Sequence, residues 1–139
     1  MRTVPLRLEP GSDLRGELER AASALPESAA FVLCGIGSLG EASLRFAGAE
    51  VATLVAGPLE LLSLSGTVTP EGAHLHASVS NASGQVLGGH VLTGCRVRTT
   101  AEILLGRLPE WRLWREHDPA SGYRELRVAG RERDVDPSP

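Results

Sequence analysis

The spacing of apolar and polar residues changes its period once, close to the start of the chain. Residues 4–9 alternate weakly and predict an opening strand, broken by Pro10 and Gly11. Leu14, Leu18, Ala21, Ala22 and Leu25 then recur at helical spacing on one face, with Glu17, Glu19 and Arg20 elsewhere on the wheel. Ser12 is the predicted N-cap and Asp13 falls in the first turn, where negative charge is favoured. Gly16 weakens this helix and Pro26 ends it. From there on the pattern is that of strands. Residues 29–34 are a continuous apolar run, and Ala42, Leu44 and Phe46 alternate with Ser43 and Arg45. Residues 51–56 form a second apolar run, and residues 59–68 are partly period two. Segments 74–80, 86–93 and 96–105 follow at short spacing. Trp111, Leu113 and Arg115 predict one more strand, then a turn at 118–122 and a short segment 123–128. One helix followed by many strands predicts a compact single α+β domain, mostly antiparallel sheet, with the N-terminal helix packed on one face. The domain is expected to span residues 4–128, and residues 129–139, rich in charge and ending near Pro137, to form a flexible, solvated tail.

A length of 139 residues allows one core, and 42% hydrophobic with 22% charged residues is globular composition. No repeat or heptad pattern is present. A net charge of -3 argues against a domain that grips nucleic acid through bulk positive charge, and 4% aromatic content is thin for base stacking. All 14 basic residues are Arg, which rules out a catalytic lysine, a Schiff base and a P-loop lysine. Charges interrupt the N-terminus too early for a secretory signal, and no apolar run approaches membrane-spanning length. A soluble cytoplasmic protein without membrane association is expected. Cys34 and Cys95 lie in apolar or strand-like segments and read as two free buried thiols.

Gly35-Ile36-Gly37-Ser38-Leu39-Gly40 matches the dinucleotide pattern G-x-G-x-x-G after an apolar strand. That chemistry needs a helix start directly after the glycines, so that backbone amides meet a pyrophosphate. Residues 41–46 alternate instead, and Glu60, at ribose-contact spacing, lies in an apparent strand. A tight strand-to-strand connection built on glycine conformations is the preferred reading, and no nucleotide cofactor is expected.

Three of the four histidines cluster as His74-Leu75-His76 and His90. On a strand, residues two apart share a face. A three-residue hairpin loop at Ala82-Ser83-Gly84, with Gly84 left-handed, sets Asn81 against Gln85 and therefore His76 against His90. Cross-strand Cβ atoms then lie about 4.5–5.5 Å apart, with His74 as the diagonal neighbour. Three neutral imidazoles suit a late first-row metal, and Gly88 and Gly89 leave space beside it. A two-residue loop would instead turn His90 to the opposite face. The spacing fits equally well three hydrogen-bonded histidines at a polar sheet surface or subunit interface. Glu60 and Glu102 lie in apolar-patterned strands, as a general base beside the metal or, the preferred reading, as structural ion-pair members. Ser63, Ser65 and Ser78 have no elbow motif or relay, which disfavours a serine hydrolase. Arg96 and Arg98 on one strand face read as a solvated edge, with anion binding as the less common meaning, and His117 as a solvated loop residue.

Residues 35–38, 59–66, 74–78, 84–90 and 99–102 occur in an order that resembles the PPC domain, the plants and prokaryotes conserved domain, over about residues 4–128. The pairing of His-Leu-His with Gly-Gly-His is the specific part. The resemblance implies a compact α+β fold assembled as a homotrimer. It also implies that the cluster His74, His76 and His90 is a metal site, with zinc as the expected ion. In plant relatives the domain follows AT-hook segments that bind A·T-rich minor grooves, and the domain itself mediates association. This chain has no Arg-Gly-Arg-Pro core and no basic arm. The leading expectation is a stand-alone homotrimeric metal-binding module with a binding or regulatory role. A DNA-associated regulator and a metal-dependent enzyme using Glu60 or Glu102 are the alternatives.

Overall fold

The computed structural model describes residues 1–131. They run β1 (Arg2–Leu8), α1 (Leu14–Ser23), β2 (Ala30–Arg45), β3 (Thr53–Thr69), β4 (Gly72–Ser80), β5 (Val86–Val91), β6 (Arg96–Arg107), β7 (Trp111–His117) and β8 (Arg124–Gly130). The first six strands form one antiparallel sheet in the order β1-β6-β2-β3-β4-β5. That sheet curls until β5 also pairs with the end of β2, through Leu44 with Val91 and Arg45 with His90. Strands β7 and β8 make a separate two-stranded sheet. The α+β class with one N-terminal helix is as expected.

Strand alternation decides which face is buried. In β4, Ala73, Leu75, Ala77 and Val79 point into the core, with Leu64, Leu39, Leu44 and Leu105 from neighbouring strands. Helix α1 closes this face with Leu14, Leu18 and Ala22, each fully buried. Removing a leucine from such a position costs about 2–5 kcal/mol. The helix also reaches the strands that bear the histidines. Glu19 Oε1 accepts from the Ala73 amide at 3.0 Å, and Arg15 Nη1 donates to the Val91 carbonyl at 3.1 Å. An Arg15–Glu19 ion pair at 3.0 Å joins the two. Backbone groups adjacent to His74 and His90 are thereby held by one helical turn.

Several local expectations need correction. The N-cap is Asp13, not Ser12: its Oδ2 accepts from the Gly16 amide at 2.9 Å, and its Oδ1 from Gly94 at 2.7 Å. Ser12 is engaged elsewhere, because its carbonyl accepts from Val97 in pairing with β6. Residues 35–40 are not a connection between strands. They are the middle of β2, which is one strand of 16 residues. Gly37, at φ +155°, is needed for close approach, since a Cβ there would lie 2.4 Å from the Thr100 carbonyl oxygen. Residues 51–56 and 59–68 are likewise largely one strand, β3, which passes through Pro58. Leu39 pairs with Leu59 and Glu41 with Ala56, so Gly57 and Pro58 together oppose Gly40 as a bulge, where a missing amide donor breaks no ladder bond. Cys95 is buried, but Cys34 is exposed on the outer side of β2. Ala129 and Gly130, assigned by sequence to the tail, belong to β8. The expectation of a flexible tail over 132–139 lies outside the described residues.

Candidate metal centre

The β4–β5 hairpin has the predicted loop. Gly84 sits at φ +76°, Gly84 N donates to the Asn81 carbonyl at 2.9 Å, and Asn81 N donates to Gln85 O at 3.1 Å. The Asn81 side chain adds to the turn, its Oδ1 accepting from Ser83 at 3.0 Å and Gln85 at 3.1 Å. With Asn81 opposite Gln85, the ladder brings His76 opposite His90. His74 is the diagonal neighbour on the same outer face of the sheet.

All three rings converge. Ring centroids are 5.0 Å apart for His74–His76, 5.2 Å for His74–His90 and 5.8 Å for His76–His90. One ring nitrogen from each residue lies within 4.8 Å of the others. The Nε2 atoms of His74 and His76 are 3.3 Å apart. A tetrahedral ion with bonds of about 2.0–2.1 Å needs nitrogens about 3.3–3.4 Å apart, so this pair already has the required spacing. The hydrogen bond between His74 and His76 engages one nitrogen of each ring and does not include His90. A shared ion satisfies all three.

The surroundings keep two of the imidazoles neutral, the form that coordinates a metal. Burial, then Arg115 and His76, hold His74 below its ordinary value. Burial, then His74 and Arg45, push His90 down to about 4. The cluster opens into a cleft of about 990 Å³. Its wall includes Ser63 and Ser78, whose hydroxyl oxygens are 2.6 Å apart, and its rim includes Arg45, Glu50 and Tyr123.

Not every sequence candidate joins this site. Glu60 pairs with Ser80, four residues along β4 from His76 and therefore about 13 Å away, and it is exposed. Glu102 is exposed on β6 beside Arg7 and Ile36 and lines a different cleft, with Cys34. Neither needs a buried partner, because each lies on the outward side of its strand. The role of Glu60 or Glu102 as a base beside the metal has no geometric support. Arg96 and Arg98 are exposed and do not line the histidine cleft. His117 is exposed as expected but ends β7 rather than lying in the loop. Sequence reasoning missed Arg115. Its Nη2 donates to Thr67 Oγ1 at 2.7 Å and its backbone amide to Glu71 Oε2 at 3.0 Å, which docks the β7–β8 hairpin beside His74. Alternation placed Arg115 on a strand, but nothing local reports where a separate hairpin docks.

A family model for the Plants and Prokaryotes Conserved (PCC) domain matches residues 1–109. The chain belongs to this family. Strands β1 to β6, and with them all three histidines, fall within the match, while β7 and β8 lie beyond it. This PPC domain is 49% identical over 128 residues to the protein named bifunctional protein GlmU of Synechococcus sp. (strain JA-2-3B'a(2-13)), covering 92% of this chain and 20% of that protein. The chain thus spans about a fifth of the length of the curated relatives it matches. It is 40% identical to the solved structure of a hypothetical protein from Salmonella cholerae-suis, with a TM-score of 0.89 and 94% of each chain covered. It is 28% identical to a solved metal-containing protein from Archaeoglobus fulgidus, with a TM-score of 0.70, 90% of this chain and 92% of that chain covered. No helix among the described residues is long and apolar enough to cross a membrane.

Proposed function

We propose that this PPC domain is a metal-binding module in which His74, His76 and His90 hold one divalent late first-row ion, zinc, within a homotrimer of binding or regulatory role. The observation that carries the reading is the convergence of three ring nitrogens within 4.8 Å, from two strands whose register is locked by the 81–85 turn. A bound ion would act as a Lewis acid with one coordination position left for a ligand. The chain's own contribution is to hold His74 and His90 below their ordinary value and to fix all three rings on adjacent strands. Exposed apolar side chains on the outer side of the sheet support self-association. Ile36 and Leu62 are 55% and 46% exposed, and Pro5, Cys34 and Leu104 line an open cleft beside Ile36.

Elemental analysis of protein purified without a His tag, beside the triple variant His74→Ala, His76→Ala, His90→Ala, tests the site. One ion per chain in the native protein and none in the variant is expected. Equal metal content in both would remove it. Light scattering at low concentration tests the trimer, and a monomer mass would count against it.

A further inference from the structure

The three histidines do not stand alone in their cleft. Arg45, on β2, pairs across the ladder with His90. Arg115, on β7, lines an adjoining cleft of about 370 Å³ together with Arg45, His74 and His90. Two guanidinium groups therefore border the imidazoles, one from the barrel closure and one from the hairpin outside the family match. Neither forms a salt bridge among the described residues, whereas Arg15 nearby is paired with Glu19. Arg115 is also incompletely satisfied, because its Nε is enclosed without a hydrogen-bond partner. An enclosed, unpaired polar group calls for a partner. The carboxylates on these clefts are Glu50 and Glu125. With a divalent ion on the histidines, two arginines and the ion carry more positive charge than these two glutamates offset. The excess is local, on a molecule whose formal net charge is -3.

We propose that the cleft binds a small ligand through an oxyanion, a carboxylate or a phosphate, held between Arg45 and Arg115 and sharing the open position of the ion. The proposal rests on the metal reading for that last contact only. Guanidinium groups suit the task because their forked donors match both oxyanions. The paired hydroxyls of Ser63 and Ser78 offer further hydrogen bonds to the rest of the ligand.

The test uses the full chain, zinc-loaded and metal-stripped, with zinc content measured first. Inorganic phosphate and acetate are the two probes, titrated calorimetrically, and their comparison tells the phosphate source from the carboxylate one. The zinc-loaded protein is expected to bind at least one of them at one site per chain. Arg45→Met and Arg115→Met are each expected to weaken that binding about tenfold while zinc content stays at the native level. Arg45 is exposed, so its variant stays informative if Arg115→Met loosens the hairpin. In the native protein, the Nε–H resonance of Arg115 should shift on addition of the anion. Binding that is unchanged in both variants, or no binding of either probe to protein with full zinc, overturns the proposal. Protein that takes up no zinc overturns the metal reading instead. The clamp is then judged on the metal-free chain: arginine-dependent binding sustains it, and arginine-independent or absent binding removes it.

Discussion

The glycine stretch of β2 and the β4–β5 hairpin look alike in sequence and differ in what their residues are for. Both are glycine-bearing strand segments that match a known chemical pattern. In β2, Gly35 and Gly37 answer a crowding problem, since Gly35 lies against Ile103 and Leu64 and Gly37 against the Thr100 carbonyl of β6. Backbone in such contact is committed to the sheet and does not begin a helix that could receive a phosphate. In the hairpin, Gly84 makes the turn, its side-chain position is open, and the residues that matter are the imidazoles that the turn aligns. The difference teaches that a motif gains meaning from the backbone that follows it.

Substitutions can separate the two roles. The largest stability loss is expected for Gly37→Ala, about 3–5 kcal/mol by denaturant unfolding, from overpacking and an unfavourable φ together. A loss under about 1 kcal/mol would show that β6 yields there and would weaken the contrast. In the hairpin, metal should dominate. Zinc at a hundred times its dissociation constant should stabilise the native protein by about 2.7 kcal/mol in thermal melts, and should leave the triple histidine variant unmoved. Gly84→Ala should cost about 1–2 kcal/mol, the price of a left-handed φ with no clash, and retain zinc. Glu60→Gln and Glu102→Gln should change zinc content by nothing measurable, and a large effect of either would restore it to the site.

Acidity sharpens the same contrast. His74 and His90 are both held below their ordinary value of 6.5, so the unfolded chain takes up protons before the folded one does. Stability from this source is complete above pH 6.5 and is lost as the pH falls toward about 4, where His90 titrates. In chelated protein this decline should appear in urea midpoints, and His90→Ala should flatten it. An unchanged slope in that variant would move the effect to His74, the other imidazole held below its ordinary value.

The hairpin was legible because its determinants are local. Asn81, Gly84 and Gln85 specify the loop length, and loop length alone decides which face His90 takes. The helix was legible from its period, with an error of one residue at Asp13 because Ser12 is drawn into pairing with β6. What stayed hidden depends on segments far apart in the chain. Glycine signals a turn and a close approach equally well, so the continuity of β2 could not be read without β6 beside it. The runs 51–56 and 59–68 read as separate segments, whereas a bulge at Gly57 and Pro58 carries one strand through both. The approach of Arg115 to His74 depends on the docking of a hairpin against Thr67 and Glu71, which no periodicity encodes.

The return of β5 to β2 rests on two residue pairs, Leu44 with Val91 and Arg45 with His90. One of those four residues is a proposed ligand whose companions sit on β4. An ion there would tie β5 to β4 beside the seam, not across it, and would brace the strand that carries both rungs. Amide exchange near Val91 would then report occupancy from the opposite side of the wall.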